Sequence, residues 1–350
     1  MKSALRSTLQ FWLNRIPLWI YRRILRRQMI GVFYHSVSQQ PLSHIEHLYP
    51  SIPVNRFEND LLFLKKNYAL VSYQQLHQYV NRGKPLPPRA LHLSFDDGYA
   101  ECFTLVRPLL LKYGIPCTFF ITSDLIDNRR MFYRNKVSLC IQRGALLFRD
   151  DQAGSQVLTS FHQQLDRSVR SFADFVAWIK PLVQADEVKI DLACEILGVD
   201  VDDYLASQAP YLNSAQIRQL FQDGFTIGSH TRSHPKLVQL SPIEMEAEIV
   251  ASTRIVAEIT GAATVPFSFP NSGTGVERRV LADIRSRHPL LGLFFDTKGI
   301  RLDEKYILNR IWAERPSLSS PGDQTALGRV LRNAYAEQAW ENMAAFRSGL

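Results

Sequence analysis

Leu91-His92-Leu93-Ser94-Phe95-Asp96-Asp97-Gly98 sets two adjacent carboxylates at the mouth of a short apolar run. Leu91, Leu93 and Phe95 share one parity, Pro87 and Pro88 precede the run, and Gly98 follows it. The stretch therefore reads as a buried strand that ends at the aspartates. Neighbouring side chains on a straight strand point to opposite faces, so the pair converges only where the chain turns. Gly98 permits that turn. Two carboxylates this close resist joint ionisation unless a cation sits beside them, which points to one ligand and one base. An Asp-Asp-Gly that merely caps the next helix is the plainer alternative.

A second element lies far downstream. Gly228-Ser229-His230-Thr231-Arg232-Ser233-His234-Pro235 carries two histidines four apart, just after the apolar run Phe225 to Ile227. That spacing puts both rings on one side if the chain bends from a strand end into a helical turn, and neutral imidazole is the commonest metal ligand. With Asp97 the set becomes two histidines and one carboxylate. Catalytic zinc commonly has three protein ligands of these types and keeps a fourth position for water. The same donors also hold iron in oxygenases, but Asp96 beside the ligand favours hydrolysis.

Together these stretches resemble the NodB-like polysaccharide deacetylases, carbohydrate esterase family four. Ser94-Phe95-Asp96-Asp97-Gly98-Tyr99 is similar to that family's first motif, and Ser229 to Pro235 to its second. Gly31-Val32-Phe33-Tyr34-His35-Ser36-Val37 is similar to the Tyr-His-bearing strand that often opens such domains. Pro266-Phe267-Ser268-Phe269-Pro270 resembles the aromatic-proline strand of the third motif. The resemblance covers residues 31–127 and 214–315. It implies an irregular, incomplete (β/α) barrel, with Asp96 as general base and Asp97, His230 and His234 as ligands of a divalent metal, zinc. It also implies that the backbone N–H after Pro270, at Asn271, holds the oxyanion. Two positions depart from the family. The Arg that orients the base is replaced by Ser268, so another group must do that job. The late histidine that serves as general acid has no clear match: the corresponding strand reads Leu308-Asn309-Arg310-Ile311-Trp312, and Arg310 does not readily give up a proton. His288 reads as a surface residue. His35, at the end of the first strand, is a candidate to reach the site; the acid stays unassigned, and Asp96 serving both steps stays open.

The 350 residues are 46% hydrophobic, enough for a barrel and an insertion. Lys and Arg total 41 against 33 Asp and Glu, a net charge of +8. The excess is local, because Lys2, Arg6, Arg15, Arg22, Arg23, Arg26 and Arg27 all precede the first acid, Glu46. Such a patch attracts anionic lipid or polyphosphate. No nucleic-acid-binding module accompanies it, so nucleic acid is not an expected partner. Arg15 and Pro17 interrupt the apolar residues of 4–25, which leaves no run near the ~20 needed to span a membrane. Arg22 and Arg23 stand where a signal peptide would carry small cleavage-site residues. Leu9, Leu13, Ile16, Ile20 and Ile24 recur at helical spacing, while Trp12, Trp19 and the arginines suit a headgroup boundary. An interfacial helix and one packed on the catalytic domain both fit. Cys102, Cys117, Cys140 and Cys194 show no paired spacing and no Cys-x-x-Cys, so neither a disulfide framework nor a thiolate zinc site is indicated. A cytoplasmic location, peripheral on the inner face of the membrane, is expected. A substrate made there is an N-acetylated sugar on a lipid or nucleotide carrier, a precursor of cell-surface polysaccharide.

The chain divides into a basic amphipathic segment (1–30), a first part of the barrel (31–127), a mostly helical insertion (128–213), a second part of the barrel (214–315) and a helical tail (316–350). Helices are expected over Phe57–Lys66, Ser72–Val80 and Tyr99–Tyr113, with a strand at Cys117–Ile121. The insertion shows helix-prone stretches at Ser168–Val183 and Val188–Leu197, and either covers the site or acts as a spacer. Ser214 is expected to cap a helix through Gln222. Ser241, Pro242 and Glu244 form a capping-box pattern for a helix that runs to Thr260 and stops at Gly261. Phe267–Phe269, Leu291–Phe295 and Ile307–Trp312 read as strands, Val276–Ser286 and Ala326–Phe346 as helices. Strands joined by helices lie parallel, but periodicity leaves a closed barrel and an open sheet equally open. A carbohydrate-binding member of the same fold without turnover is the alternative function, motivated by the missing Arg and His.

Overall fold

Every residue of Ala90–Phe95 is buried, not only the odd-parity apolar ones. In the computed structural model, which describes residues 16–25, 29–165, 169–314 and 326–348, the reason is that this strand is covered on both faces. Leu91, Leu93 and Phe95 pack with Phe57, Leu61 and Leu64 of the helix Val54–Asn67. The opposite face carries His92 and Ser94 into a polar interior. Buried polar groups on a strand interior need partners, and His92 has two, Val71 O and Thr118 Oγ1, each at 3.0 Å.

The strands are β1 (Met29–Tyr34), β2 (Val37–Ser38), β3 (Ile52–Pro53), β4 (Ala69–Leu70), β5 (Ala90–Phe95), β6 (Thr118–Ile121), β7 (Thr226–Ser229), β8 (Val265–Ser268), β9 (Leu291–Asp296) and β10 (Ile307–Trp312). All pairings within the main sheet are parallel, in the order β1-β10-β9-β8-β7-β6-β5, and β5 pairs back onto β1. The result is a closed barrel of seven strands, with β4 bordering the first half of β5. Helices between the strands cover the outside, as right-handed crossovers require. The register shift between Val265 and Phe267 in β8 makes the barrel irregular.

One glycine is dictated by the interior. Gly31 on β1 stands opposite Arg310 on β10, and a Cβ there would lie 2.6 Å from Arg310 Cγ. Its absence lets a whole arginine stem cross the barrel.

Between β6 and β7 the chain forms helices Tyr133–Leu147, Asp151–Leu165, Phe172–Ile179, Glu187–Leu197 and Val201–Gln208. They enclose a separate apolar cluster that includes Phe161, Phe175, Ile179, Ile190 and Leu197. That cluster joins the barrel at Tyr99 and Tyr211, whose rings stack 5.8 Å apart. Cys140 and Cys194 bring their Sγ atoms to 3.4 Å inside it, a neighbourhood that a separation of 54 in the chain conceals.

Several helix ends differ from the sequence reading. Asn213, not Ser214, caps Ser214–Gln222, because its side chain accepts from the Gln216 N–H while Ser214 bonds Asp127. The expected helix Ser168–Val183 is the shorter Phe172–Ile179, capped by Ser171; residue 168 lies outside the described residues. Tyr99–Tyr113 opens with a π-helical turn, Cys102–Val106, before Arg107–Tyr113. Val276–Ser286 is displaced to Arg278–Arg287. The Ser241 capping box and the Gly261 stop are present as read.

Of the N-terminal segment, Lys2, Arg6, Leu9, Trp12, Leu13, Arg15, Arg26 and Arg27 lie outside the described residues. The described helix Leu18–Leu25 packs on the domain: Tyr21 is buried and stacks on Tyr335 of the helix Ala326–Ser348 at 6.3 Å. Arg22 donates to Asn67 O. Trp19 and Ile24 face solvent. No helix among the described residues is long and apolar enough to cross a membrane.

Candidate active site

The carboxyl ends of β1, β5, β7, β8 and β10 converge on one cavity of about 310 Å³. It is lined by His35, Tyr49, Asp96, Asp97, His230, His234 and Asn271, with Phe33, Phe132, Phe269 and Trp312 as apolar walls. The residues singled out in the sequence therefore meet at one place, as expected at the carboxyl face of a barrel. Pro270 sits just behind it, before Asn271.

Local backbone explains how they meet. Asp97 has φ +73°, followed by Gly98 at +85°. This double left-handed step swings Asp97 out of the strand, so its carboxylate no longer opposes that of Asp96. Thr231 and His234 (φ +64° and +65°) turn the histidine loop in the same way, in place of the expected helical turn. Asn271 (φ +60°) does so after β8. Left-handed backbone at non-glycine residues is costly and persists only where surroundings enforce it. Glu248 enforces it on the histidine loop, accepting from the N–H groups of Arg232 and Ser233 at 2.9 Å and from Ser233 Oγ. Asp296 does the same beside Asn271, taking the N–H groups of Gly273 and Thr297 at 2.8 Å.

The three donors form a tight cluster. Asp97 Oδ1 lies 3.5 Å from His230 Nε2 and 3.3 Å from His234 Nε2, and all three groups offer atoms within 4.8 Å of one another. Those two separations match the edge of a tetrahedron with bonds of ~2.1 Å, about 3.4 Å. Asp97 Oδ1 is buried without a hydrogen bond. His230 Nδ1 faces Ser268 O at 2.9 Å, which fixes its proton there and leaves Nε2 with a lone pair toward Asp97. An orphaned carboxylate oxygen and two imidazoles aimed at one point fit a divalent cation. Burial alone would raise the pKa of Asp97, but the two imidazoles and the more distant His35 hold it well below the usual carboxylate range. The other oxygen, Oδ2, accepts from the Tyr49 hydroxyl at 3.0 Å.

Asp96 is held differently. Arg310 grips both its oxygens, Nη1 to Oδ1 at 2.7 Å and Nη2 to Oδ2 at 2.8 Å. The same guanidinium donates to Ser94 Oγ and to Ser268 Oγ. It is fully buried between the rings of Phe33, Phe120 and Phe295. Arg310 thus performs the task left vacant at Ser268, reaching across from β10. A guanidinium is a poor proton donor, so nothing local in the sequence marks Arg310 as functional; its role as an orienting group appears only in the closed barrel.

His35 is also anchored. Its Nδ1 lies 2.6 Å from Glu314 Oε2, and Glu314 is completely buried. That carboxylate also accepts from the N–H groups of His35 and Ser36 and from Trp312 Nε1. Burial would lower the pKa of His35, but Glu314 outweighs it and lifts the value to about 9. Glu314 had no signal in the sequence beyond standing two residues after a strand. His288 pairs with Glu246 at 2.6 Å outside the cavity.

The match to known proteins follows the same residues. The sequence profile of the polysaccharide deacetylases matches residues 83–157 and 185–286, which together make up half of the chain. The chain belongs to the polysaccharide deacetylase family. A 99-residue stretch of this family member is 27% identical to the poly-beta-1,6-N-acetyl-D-glucosamine N-deacetylase of Escherichia coli K12. That stretch is 28% of this chain and spans only 14% of the relative. Among solved structures, the Streptococcus pyogenes deacetylase PplD in complex with acetate shares the fold at a TM-score of 0.51 and 15% identity, covering 83% of this chain and 94% of that one. IcaB from Ammonifex degensii does so at 0.52 and 14%, covering 87% and 97%.

Proposed function

We propose that this family member is a metal-dependent amino-sugar N-deacetylase whose substrate is a carrier-linked precursor of a cell-surface polysaccharide. The observation that carries the reading is the division of labour between adjacent aspartates, one facing two imidazoles and the other clamped by Arg310. Asp97, His230 and His234 would hold a divalent cation, zinc by donor type. Such a cation supplies Lewis acidity, acidifying a water and polarising the acetamido carbonyl.

The chain's own groups divide the remaining work. Asp96, held in one orientation by the bidentate guanidinium, takes the proton of the attacking water as its oxygen bonds to the acyl carbon. The backbone N–H of Asn271 meets no acceptor among the described residues and lines the cavity, so it serves the developing oxyanion. As the carbon–nitrogen bond breaks, His35 donates a proton to the departing amine. A pKa near 9 keeps that proton present at neutral pH. Acetate and the free amino sugar leave. Arg310 and His35 stand at the two tasks whose apparent vacancy motivated a non-catalytic reading, and so favour turnover.

The carrier and a docking role for the basic N-terminal segment at an anionic membrane face remain part of this proposal, supported by the exposed Trp19 and Ile24 beside Arg23. The test is acetate release from N-acetylglucosamine oligomers by zinc-loaded protein. Asp96→Asn is expected to lower kcat by roughly 10³-fold or more, within the range seen when an essential proton acceptor is lost. Equal rates for the two proteins would remove Asp96 from the chemistry.

A further inference from the structure

Arg134 is a cation without a counter-ion, placed in the cavity of the metal centre. It is the second residue of the helix Tyr133–Leu147, is partly buried, and lines the same cavity as Asp97 and His234. Among the described residues it makes no hydrogen bond and no ion pair. Its basic neighbours differ: Arg130 pairs with Glu187 and Asp124, Lys136 with Glu187 and Asp191, Arg232 with Glu248 and Asp124. Within the cavity, Arg310 neutralises Asp96, and His35 neutralises Glu314. Among the described residues that line the cavity, Asp97 is the one acid left to face a dication. With that dication in place, both it and Arg134 leave the cavity strongly positive. A partly desolvated guanidinium gains most from an oxyanion, because its planar fork matches phosphate or carboxylate with two parallel hydrogen bonds.

We propose that Arg134 is the receptor for an anionic group, phosphate or carboxylate, carried by the N-acetylated sugar itself. This deepens the deacetylase reading and rests on it. Phe132, two residues before it in the chain, packs on the His234 ring at 4.6 Å, so the wall that presents Arg134 is seated directly on the metal centre. A sugar whose acetamido group reaches Asp96 and Asp97 therefore lies within the field of Arg134. A neutral polymer would leave that charge unanswered, whereas a sugar phosphate or an N-acetylated uronic acid would answer it.

The test uses the full chain loaded with zinc and carrying Asp96→Asn, which keeps the metal centre while turnover is suppressed, and titration calorimetry with three probes. These are N-acetylglucosamine 1-phosphate, N-acetylglucosaminuronic acid and the neutral methyl glycoside of N-acetylglucosamine. One of the two anionic probes is expected to bind about tenfold or more tightly than the neutral one, as a charge-assisted fork supplies. Which of them does so distinguishes phosphate from carboxylate. Arg134→Gln is expected to abolish the preference, and Arg134→Lys to keep part of it, since the charge remains and the fork is lost. Equal binding of all three probes, no binding of any, or a preference that survives in Arg134→Gln overturns the proposal. Failure of the deacetylase reading shows separately, as absence of acetate release by the zinc-loaded wild type from any of the three probes.

Discussion

The floor of the cavity is built from strand ends, with His35 after β1, Asp96 and Asp97 after β5, His230 after β7, Asn271 after β8 and Trp312 at the end of β10. One wall is built from helices instead, where Phe132 and Arg134 project from the segment between β6 and β7. The floor is positioned by ladder register, which fixes every residue along a strand once the barrel closes. The wall is positioned by a small buried hydrogen-bond network. Asn135 donates to His44 O at 2.6 Å and to the Tyr99 hydroxyl at 3.1 Å, and accepts from the Tyr211 hydroxyl at 2.6 Å. The Tyr99 and Tyr49 hydroxyls lie 3.0 Å apart, and Tyr49 reaches Asp97. With the single Tyr49 proton committed to Asp97, the Tyr99 proton points to Tyr49. On the proposed reading the floor carries the chemistry and the wall the selectivity, and one chain of hydroxyls joins them.

The sharpest way to break that contrast is at Arg310. Arg310→Met keeps length but leaves the buried Asp96 carboxylate uncompensated. Removing one partner of a buried pair costs about 3–5 kcal/mol, so urea denaturation should lose that much stability. Acetate release should fall by roughly 10²-fold or more as the base loses its orientation. A variant with wild-type stability and rate would show that Ser94 and Ser268 suffice to hold Asp96.

A middle-sized effect is expected at Glu314. His35 is protonated up to a pKa of about 9 because of Glu314. The folded-state value lies above the ordinary 6.5, so the stabilisation from this pair is fully present below pH 6.5. It is lost as pH rises through about 9. Glu314→Gln withdraws the charge that holds the proton. The alkaline limb of kcat should then move to lower pH, leaving about a tenfold deficit near pH 8 that shrinks toward pH 6. A profile that does not move would mean that His35 is not the proton donor.

The smallest effect is expected on the wall. Asn135→Ala leaves Tyr99, Tyr211 and the His44 carbonyl short of partners, worth about 1–3 kcal/mol of stability. Turnover should fall only a few-fold, because no group of the floor is removed. A loss as large as that of Arg310→Met would show that floor and wall cannot be separated.

How far the sequence reveals the molecule follows the same division. Asp96, Asp97, His230 and His234 are legible because each pair is local in the chain and sits at a strand end announced by a short apolar run. The capping box at Ser241 is legible for the same reason, since its physics spans three residues. Arg310 is present in the sequence but unreadable in its role. Its partner lies 214 positions away, and only Gly31, opposite it in the closed barrel, makes room for it. Closure itself lies beyond periodicity, because β5 returns to β1 through a pairing that no local pattern encodes. Both faces of β5 are buried for that reason, which hides the alternation of an exposed sheet. The wall is least legible: Tyr49, Arg134 and Asn135 carry no motif, and their positions depend on helices whose surroundings are tertiary.

The central claim is that two segments more than a hundred positions apart share one cation while Asp96 stands free of it. Elemental analysis of purified full-length protein, after dialysis against limiting zinc, tests this directly. One equivalent per chain is expected in the wild type and in Asp96→Asn, falling to well under a tenth in Asp97→Ala and in His234→Ala while circular dichroism shows the fold retained. Full zinc occupancy in folded Asp97→Ala and His234→Ala, or its loss in Asp96→Asn alone, would contradict the account.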